Sequence, residues 1–528
     1  MTAFFHSKAL ADFSRVLFEE NLFMKDEIGM REREFGSLSQ SAGGLPFSLI
    51  EDRLKINKFE KGDLLMLIQH ARVVTPDGVQ EADIRAEGET IVEIGAGLSP
   101  QEGEECIDAA GLLAVPGGID AHTHFDMPCG DIKTSDDFFE GTRAAILGGT
   151  TSILDFAEPE SGTDLYNGLS RWHEKADGKS FCDYGFHMTL SRYDAQIEAE
   201  IRDMISAGIT SFKAYTAYRG DIGVDDRDLY RLMELMAKYK TLLMIHCENG
   251  DILDQRREEL GARAPRDIYS HPLSRPNAVE HDAVSRVIDM GALTGAAVYV
   301  VHTSTAEGLA ELKAAKARGQ EVYCESCTQY LELTEEMYRL PGFEGAKYVC
   351  SPPLRKKEDQ DALWQGLRDR VIDTISTDHC SFNFADQKSL GLEDFRRIPN
   401  GLPGVEQRLE LLYSDAAKHG LSYADIARVT AENPARTMGL WPKKGALRCG
   451  SDADIVLIDP VCPHVISHET QHQHVDYTPY EGMCLSHRVR DVFLRGRCVV
   501  RGGVLLEEAP AGAYLRQNFQ ASGSSVCK

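Results

Sequence analysis

Four histidines, a lysine and an aspartate stand at the ends of short apolar runs in this chain. His122 and His124 form a His-Thr-His segment after LLAVPGGID, and Lys213 lies in SFKAYT. His246 comes at the end of LLMIHC, His302 at the end of VYVVHT, and Asp378 closes DTISTD. Imidazoles and a carboxylate are suitable ligands for zinc or a similar divalent ion. There are more of them than one tetrahedral catalytic site takes, which points to two metals. Two ions roughly 3.5–4 Å apart need a bridging anion. As an ammonium, Lys213 offers three donors and no lone pair, and it would repel both cations. It becomes useful once its amine has reacted with CO₂. The carbamate is a carboxylate, with one oxygen for each metal.

These residues need a scaffold that brings them together. Residues i and i+2 of a strand share a face, so His122 and His124 point the same way. From about Val115 to Arg436 the pattern alternates strand and helix. The predicted strands are LLAVPGGID, TSILDF, DYGFHMTL, SFKAYT, LLMIHC, VYVVHT, EVYCES and DTISTD, separated by stretches such as DDRDLYRLMELMAKYK. Eight such units predict an α/β fold, a (β/α)₈ TIM-type barrel, whose active face is formed by the C-terminal ends of its strands. We place the barrel at 116–439. Residues 66–115 and 440–505 read as short β runs split by turns, and predict a smaller β-sandwich built from both chain ends. Residues 506–528 read as a C-terminal tail.

Residues 1–65 show no strand alternation. Lys61-Gly62-Asp63 can be encoded by a purine-rich run resembling a bacterial ribosome-binding site, a few codons before Met66. Two readings stand: an N-terminal extension, or leader ahead of a start at Met66.

The 528 residues include 57 Lys+Arg and 83 Asp+Glu, a net charge of −26. Such acidity argues against nucleic acid or an anionic membrane as the main partner, because both select basic surfaces. No apolar run reaches the length of about 18 residues that a membrane helix needs, and the N-terminus lacks the pattern of a signal peptide. The 13 cysteines are scattered, Cys324 and Cys327 included. This suits unpaired thiols in a reducing cytoplasm.

The segments PGGIDAHTHFDMP, SFKAYTAY, IHCENGD, VHTS, CTQYLELT, KYVCSPPLR, STDHCSF and PNGLPGVEQRLELLY resemble the dihydropyrimidinase/D-hydantoinase family of the amidohydrolase superfamily. The likeness runs from about Met66 to Gly502, and SDDFFEGTRAA, GLWPKKG and VDYTPYEG look closest to the bacterial phenylhydantoinase-like branch. The resemblance implies hydrolysis of a cyclic ureide, a 5-substituted hydantoin or a dihydropyrimidine, to an N-carbamoyl amino acid. It implies that His122, His124 and Asp378 hold the more buried metal, that His246 and His302 hold the second, and that a carboxylated Lys213 bridges them. Attack would come from a hydroxide between the metals, with Asp378 as general base and then acid. Tyr218 matches the tyrosine that bonds the carbonyl oxygen under attack. Ser351 and Asn400 match positions whose backbone groups hold the ureide ring. Zinc and a homotetramer are implied on the same grounds.

Other residues carry weaker signals. His379 adjoins Asp378 and is expected to face away from it. His468, His472 and His474 read as a surface patch, and His187 as a core residue or a support. Cys129, small, sits with charged Asp131 and Lys133 in a loop where relatives often place a bulky apolar residue, so a larger or more polar substituent would fit. Two other cyclic amidohydrolases are rivals. A dihydroorotase usually has an arginine where Asp126 stands, and an allantoinase-like protein has a different loop at MPCGDIK. A non-enzymatic relative would have lost metal ligands, and all six are present.

Overall fold

The computed structural model describes residues 65–506 and 509–521. The two readings of 1–65 concern residues outside this range, apart from Leu65, which opens the first strand.

Eight parallel strands form the barrel: β1 (Gly118–Thr123), β2 (Thr150–Ala157), β3 (Asp183–Thr189), β4 (Ser211–Arg219), β5 (Leu242–His246), β6 (Ala297–Val300), β7 (Val322–Cys327) and β8 (Thr374–Ser376). Each pairs with its chain neighbour, so the order around the sheet is the order of the sequence. The ring closes where the chain beyond β8 meets the chain beyond β1: the His124 amide donates to the His379 carbonyl at 2.8 Å. Lower down, the buried Arg408 guanidinium donates to Ile119 O at 2.8 Å and to Ile375 O at 3.0 Å, bridging β1 and β8.

The helices between strands form for local reasons. Asp226–Tyr239 buries Leu229, Leu232, Met233 and Met236, spaced three and four apart on one stripe. The Asp225 carboxylate caps it by accepting from the Asp228 amide at 2.8 Å, which satisfies one of the first-turn N–H groups.

The run LLAVPGGID, expected as one strand, divides. Leu113–Pro116 pairs with Ile455–Asp459 in a second sheet, and only Gly118–Thr123 enters the barrel. The break falls at Gly117, where a Cβ would lie 2.1 Å from the Thr151 hydroxyl. The β-sandwich expected from both chain ends takes the form of one mixed sheet of nine strands, five from before the barrel (residues 65–116) and four from after it (residues 455–505). Its core includes Ile68, Val73, Ile84, Ile455, Leu457 and Phe493.

The segment read as a tail is, over 509–521, the floor of the barrel. Leu515 and Phe519 are buried against Ile119, Leu154, Leu242 and Ala297 from inside the ring. Burial of such side chains stabilises by about 1.5–3 kcal/mol each. The Gln517 side-chain oxygen Oε1 accepts from the Thr210 amide and the Ser211 hydroxyl, both at 2.9 Å. The apolar residues of this segment are widely spaced, and their partners come from strands far away in the chain.

Candidate metal centre and active site

Five of the six residues picked out in the sequence lie at or just beyond the carboxyl ends of barrel strands, and Lys213, the third residue of β4, is level with Thr189 at the end of β3. His122 is on β1, Lys213 on β4 and His246 at the end of β5. His124, His302 and Asp378 lie just beyond β1, β6 and β8. His302, Asp378 and also Tyr218 hold left-handed backbone, with φ of 40°, 51° and 59°. Such conformations cost on the order of 1–3 kcal/mol each and persist only where surroundings enforce them. For Asp378 the enforcement is visible. Asp120 accepts from both the amide and the hydroxyl of Thr377, at 3.1 and 2.7 Å, and pins the residue before it.

One ligand group comprises His122, His124 and Asp378, whose donor atoms lie within 4.8 Å of one another. Asp378 Oδ1 is 3.1 Å from His122 Nε2 and 3.2 Å from His124 Nε2. A second group is the pair His246 Nδ1 and His302 Nε2, 3.0 Å apart. The groups adjoin, since the rings of His122 and His302 are 5.5 Å apart. Lys213 is buried, with Nζ 4.7 Å from the centre of the Phe156 ring and 5.0 Å from that of Tyr215. Phe156 in turn lies against His122 and His124, at 4.6 and 5.0 Å. Among the described residues Lys213 forms no ion pair with a carboxylate.

Behind the ligands stand carboxylates that the sequence reading missed. Glu325, on β7, accepts from His122 Nδ1 at 2.7 Å, from the Tyr299 hydroxyl at 2.9 Å and from the His302 amide at 3.1 Å. Glu248 lies 2.8 Å from His246 Nε2 and pairs with the buried Arg275. Each fixes a ring so that its other nitrogen offers a lone pair to the centre. Glu248 had a signal, since it stands two residues after His246. Glu325 had only its oddity, a carboxylate in an apolar strand. Arg275 had none.

The electrostatics suit cations. Burial disfavours charge on His122, but Glu325 and Asp378 overcome it and raise its pKa to about 9. Burial also opposes the Asp378 carboxylate, yet His122 and His124 hold its pKa well below the usual range. Burial lowers His124 to about 4 and Lys213 to about 8, the latter against the pull of Glu325 and Asp378. The site thus holds unprotonated imidazoles at His124, His246 and His302, an ionised Asp378 and an amine far easier to deprotonate than an ordinary lysine, while His122 carries a proton that a bound cation would replace. This donor set fits two divalent ions, with His122, His124 and Asp378 for one and His246 and His302 for the other.

Tyr218 lies beside the second group, its ring 5.3 Å from that of His246. Burial, against the pull of Arg275, pushes its phenol above the usual range, so it remains a donor. The Ser351 hydroxyl is shut off from water next to it. The Asn400 segment adjoins the Ser351 segment through the Gly401 amide, which donates to Val349 O at 3.0 Å.

His379 faces away, as expected: Nε2 meets Asp136 at 3.0 Å and Nδ1 accepts from the Gly404 and Val405 amides. His187 is fully buried between Ser211 and Ala121 O, with its ring on Phe156. His468 and His472 are exposed and pair separately with Glu481 and Glu406, and His474 is exposed as well. Asp126 is bound by Lys133 at 2.6 Å. The described cysteines are all free. No described helix is long and apolar enough to cross a membrane.

Comparison with known proteins agrees with this geometry. Residues 113–499 match the amidohydrolase family. A D-hydantoinase of Ralstonia pickettii is 40% identical over 86% of this chain and 98% of its own. The chain belongs to the D-hydantoinase/dihydropyrimidinase family of amidohydrolases. An Escherichia coli D-phenylhydantoinase is 38% identical over 86% of this chain and 98% of its own. The crystal structure of a dihydropyrimidinase from Brevibacillus agri superposes with a TM-score of 0.85 at 42% identity, covering 87% of this chain and all of that one. This amidohydrolase therefore has the barrel-and-sheet architecture of its relatives.

Proposed function

We propose that the protein opens the ring of a cyclic ureide, a 5-substituted hydantoin or a dihydropyrimidine, to give an N-carbamoyl amino acid. The observation that carries this reading is the convergence of two ligand groups on one barrel mouth, with Tyr218 beside them. Two divalent ions, zinc in this proposal, would lower the pKa of a water to near neutrality and polarise the carbonyl under attack.

The chain's own residues do the rest. His122, His124 and Asp378 would hold one ion and His246 and His302 the other. A Lys213 carbamate would lie between them, formed from the amine that burial makes available near pH 8. The Tyr218 O–H donates to the ring carbonyl oxygen as negative charge develops there. Asp378, ionised in this site, takes the proton of the attacking water and delivers it to the departing ring nitrogen. The ring C–N bond breaks, and water has supplied the new carboxylate oxygen. Backbone groups at Ser351 and Asn400 hold the ureide. A cytoplasmic location, in keeping with the free cysteines, and a homotetramer complete the proposal.

The test is ring opening by the full chain supplied with zinc and bicarbonate, comparing dihydrouracil with 5-phenylhydantoin. Turnover of either supports the reading, and the faster one names the substrate class. No turnover of any cyclic ureide by protein carrying both ions would refute it.

A further inference from the structure

One buried cation remains that the chemistry above does not use. Lys388 is wholly buried, in a short helical turn at Lys388–Gly391. Its Nζ donates to three backbone carbonyls: Val349 at 2.8 Å, Pro399 at 2.7 Å and Gly401 at 2.8 Å. An ammonium has three N–H groups, and all three are accounted for. Among the described residues no carboxylate pairs with it. Taking an ammonium out of water without a counter-ion is costly, and burial lowers the Lys388 pKa to about 7, so the three carbonyls are what hold the charged form.

The choice of carbonyls is informative. Pro399 and Gly401 flank Asn400, and Val349 lies two residues before Ser351. The ammonium ties down the carbonyls on either side of Asn400, while the Asn400 carbonyl itself is not among its acceptors. The Asn400 oxygen is left with a thiol as donor, Cys380 Sγ at 3.7 Å. A thiol is a weak donor, so this oxygen keeps capacity for a stronger one. Gly401 cannot be replaced by a larger residue in this arrangement. Its φ is +152°, and a Cβ would lie 2.3 Å from Cys380 O.

We infer that Lys388 is a positioning residue for substrate: its ammonium clamps the Val349–Ser351 and Pro399–Gly401 segments in register and aims the Asn400 carbonyl at a ureide N–H. The inference rests on the proposed function. It adds a residue outside the proposed ligand set whose effect falls on substrate binding.

The experiment is steady-state kinetics of the holoenzyme and two variants on whichever ureide the wild type opens, with metal content measured alongside. Lys388→Met keeps the length of the side chain and removes the donors. Its KM rises about tenfold or more, the scale expected when buried carbonyls lose their donor and the loops lose register. Its kcat stays within about threefold, and two ions remain bound. Lys388→Arg retains charge and donors in a different shape, and gives an intermediate KM. A KM for Lys388→Met within about twofold of wild type overturns the inference. So does a loss of activity that follows loss of metal. If Lys388→Met is recovered unfolded, Lys388→Arg decides: a raised KM with metal retained supports the clamp, and a wild-type KM overturns it. An inactive wild type fails the proposed function instead, so the two failures are distinguishable.

Discussion

Glu325 holds His122 by its Nδ1 at 2.7 Å, from the opposite side of the ring to Asp378. The imidazole is thereby fixed in tautomer and angle, with Nε2 aimed at the centre. Glu325→Gln keeps the shape and removes the charge. We expect metal affinity to fall about 10–100-fold. Titration of metal-depleted protein with zinc, monitored by activity, measures this. Unchanged affinity would show that Glu325 does not orient the ligand.

Tyr218 presents a phenol that burial keeps protonated. Tyr218→Phe removes one donor to the developing oxyanion. We expect kcat to fall roughly 10²–10³-fold with metal content unchanged. If turnover is retained, the oxyanion is stabilised elsewhere.

Removal of metal tests the ligand set as a whole. Chelation should abolish ring opening, and divalent ion plus bicarbonate should restore it. Lys213→Ala should not recover under the same treatment. Isotope-labelled bicarbonate followed by NMR should give a carbamate signal in wild type and none in Lys213→Ala. A signal of equal size in both would remove Lys213 from the bridging position.

Glu248 and Arg275 give a pH dependence with a definite sign. Burial opposes the Glu248 carboxylate, but Arg275 and His246 win and lower its pKa to about 2. An unfolded glutamate titrates near 4.3. The pair therefore contributes its full stability above about pH 4.3, and loses it as pH falls toward 2. Glu248→Gln should lower stability at neutral pH by about 3–5 kcal/mol, because Arg275 is left buried and unpaired. Between about pH 4.3 and 2 its stability should also fall less steeply than that of wild type. Urea midpoints over that range provide the comparison, and parallel curves would contradict it.

Cys129 lies exposed in a small hairpin, where Cys129 pairs with Ile132 and Pro128 with Lys133. On the expectation that this loop walls the pocket, Cys129→Phe fills space there. Activity on hydantoins with large C5 substituents should fall relative to dihydrouracil. An unchanged ranking would place the substituent elsewhere.

The barrel and the cluster of polar residues at its mouth were legible because most of these residues mark strand ends twice, by apolar runs and by the polar residue that follows. The supports were not. Glu325, Arg275 and Lys388 act through partners 203, 27 and up to 39 positions away, and no local pattern announces such pairs. The same limit hid the seat of residues 509–521. It also explains the division of LLAVPGGID: its apolar content marks a strand, while the break depends on Thr151 standing against Gly117.

The nine-stranded sheet has a consequence for how the chain is made. Leu113–Pro116 waits for Ile455–Asp459 as its partner, and the whole barrel is synthesised in between. At roughly 5–20 residues per second that is roughly 20–70 s on the ribosome. During this interval the strand edge that will receive Ile455–Asp459 is unpaired, and Val115, Ile84 and Val73 belong to strands without their final cover. An open edge of this kind recruits other chains. Yield of folded protein should therefore depend on elongation rate and chaperone supply more than on the stability of the finished molecule.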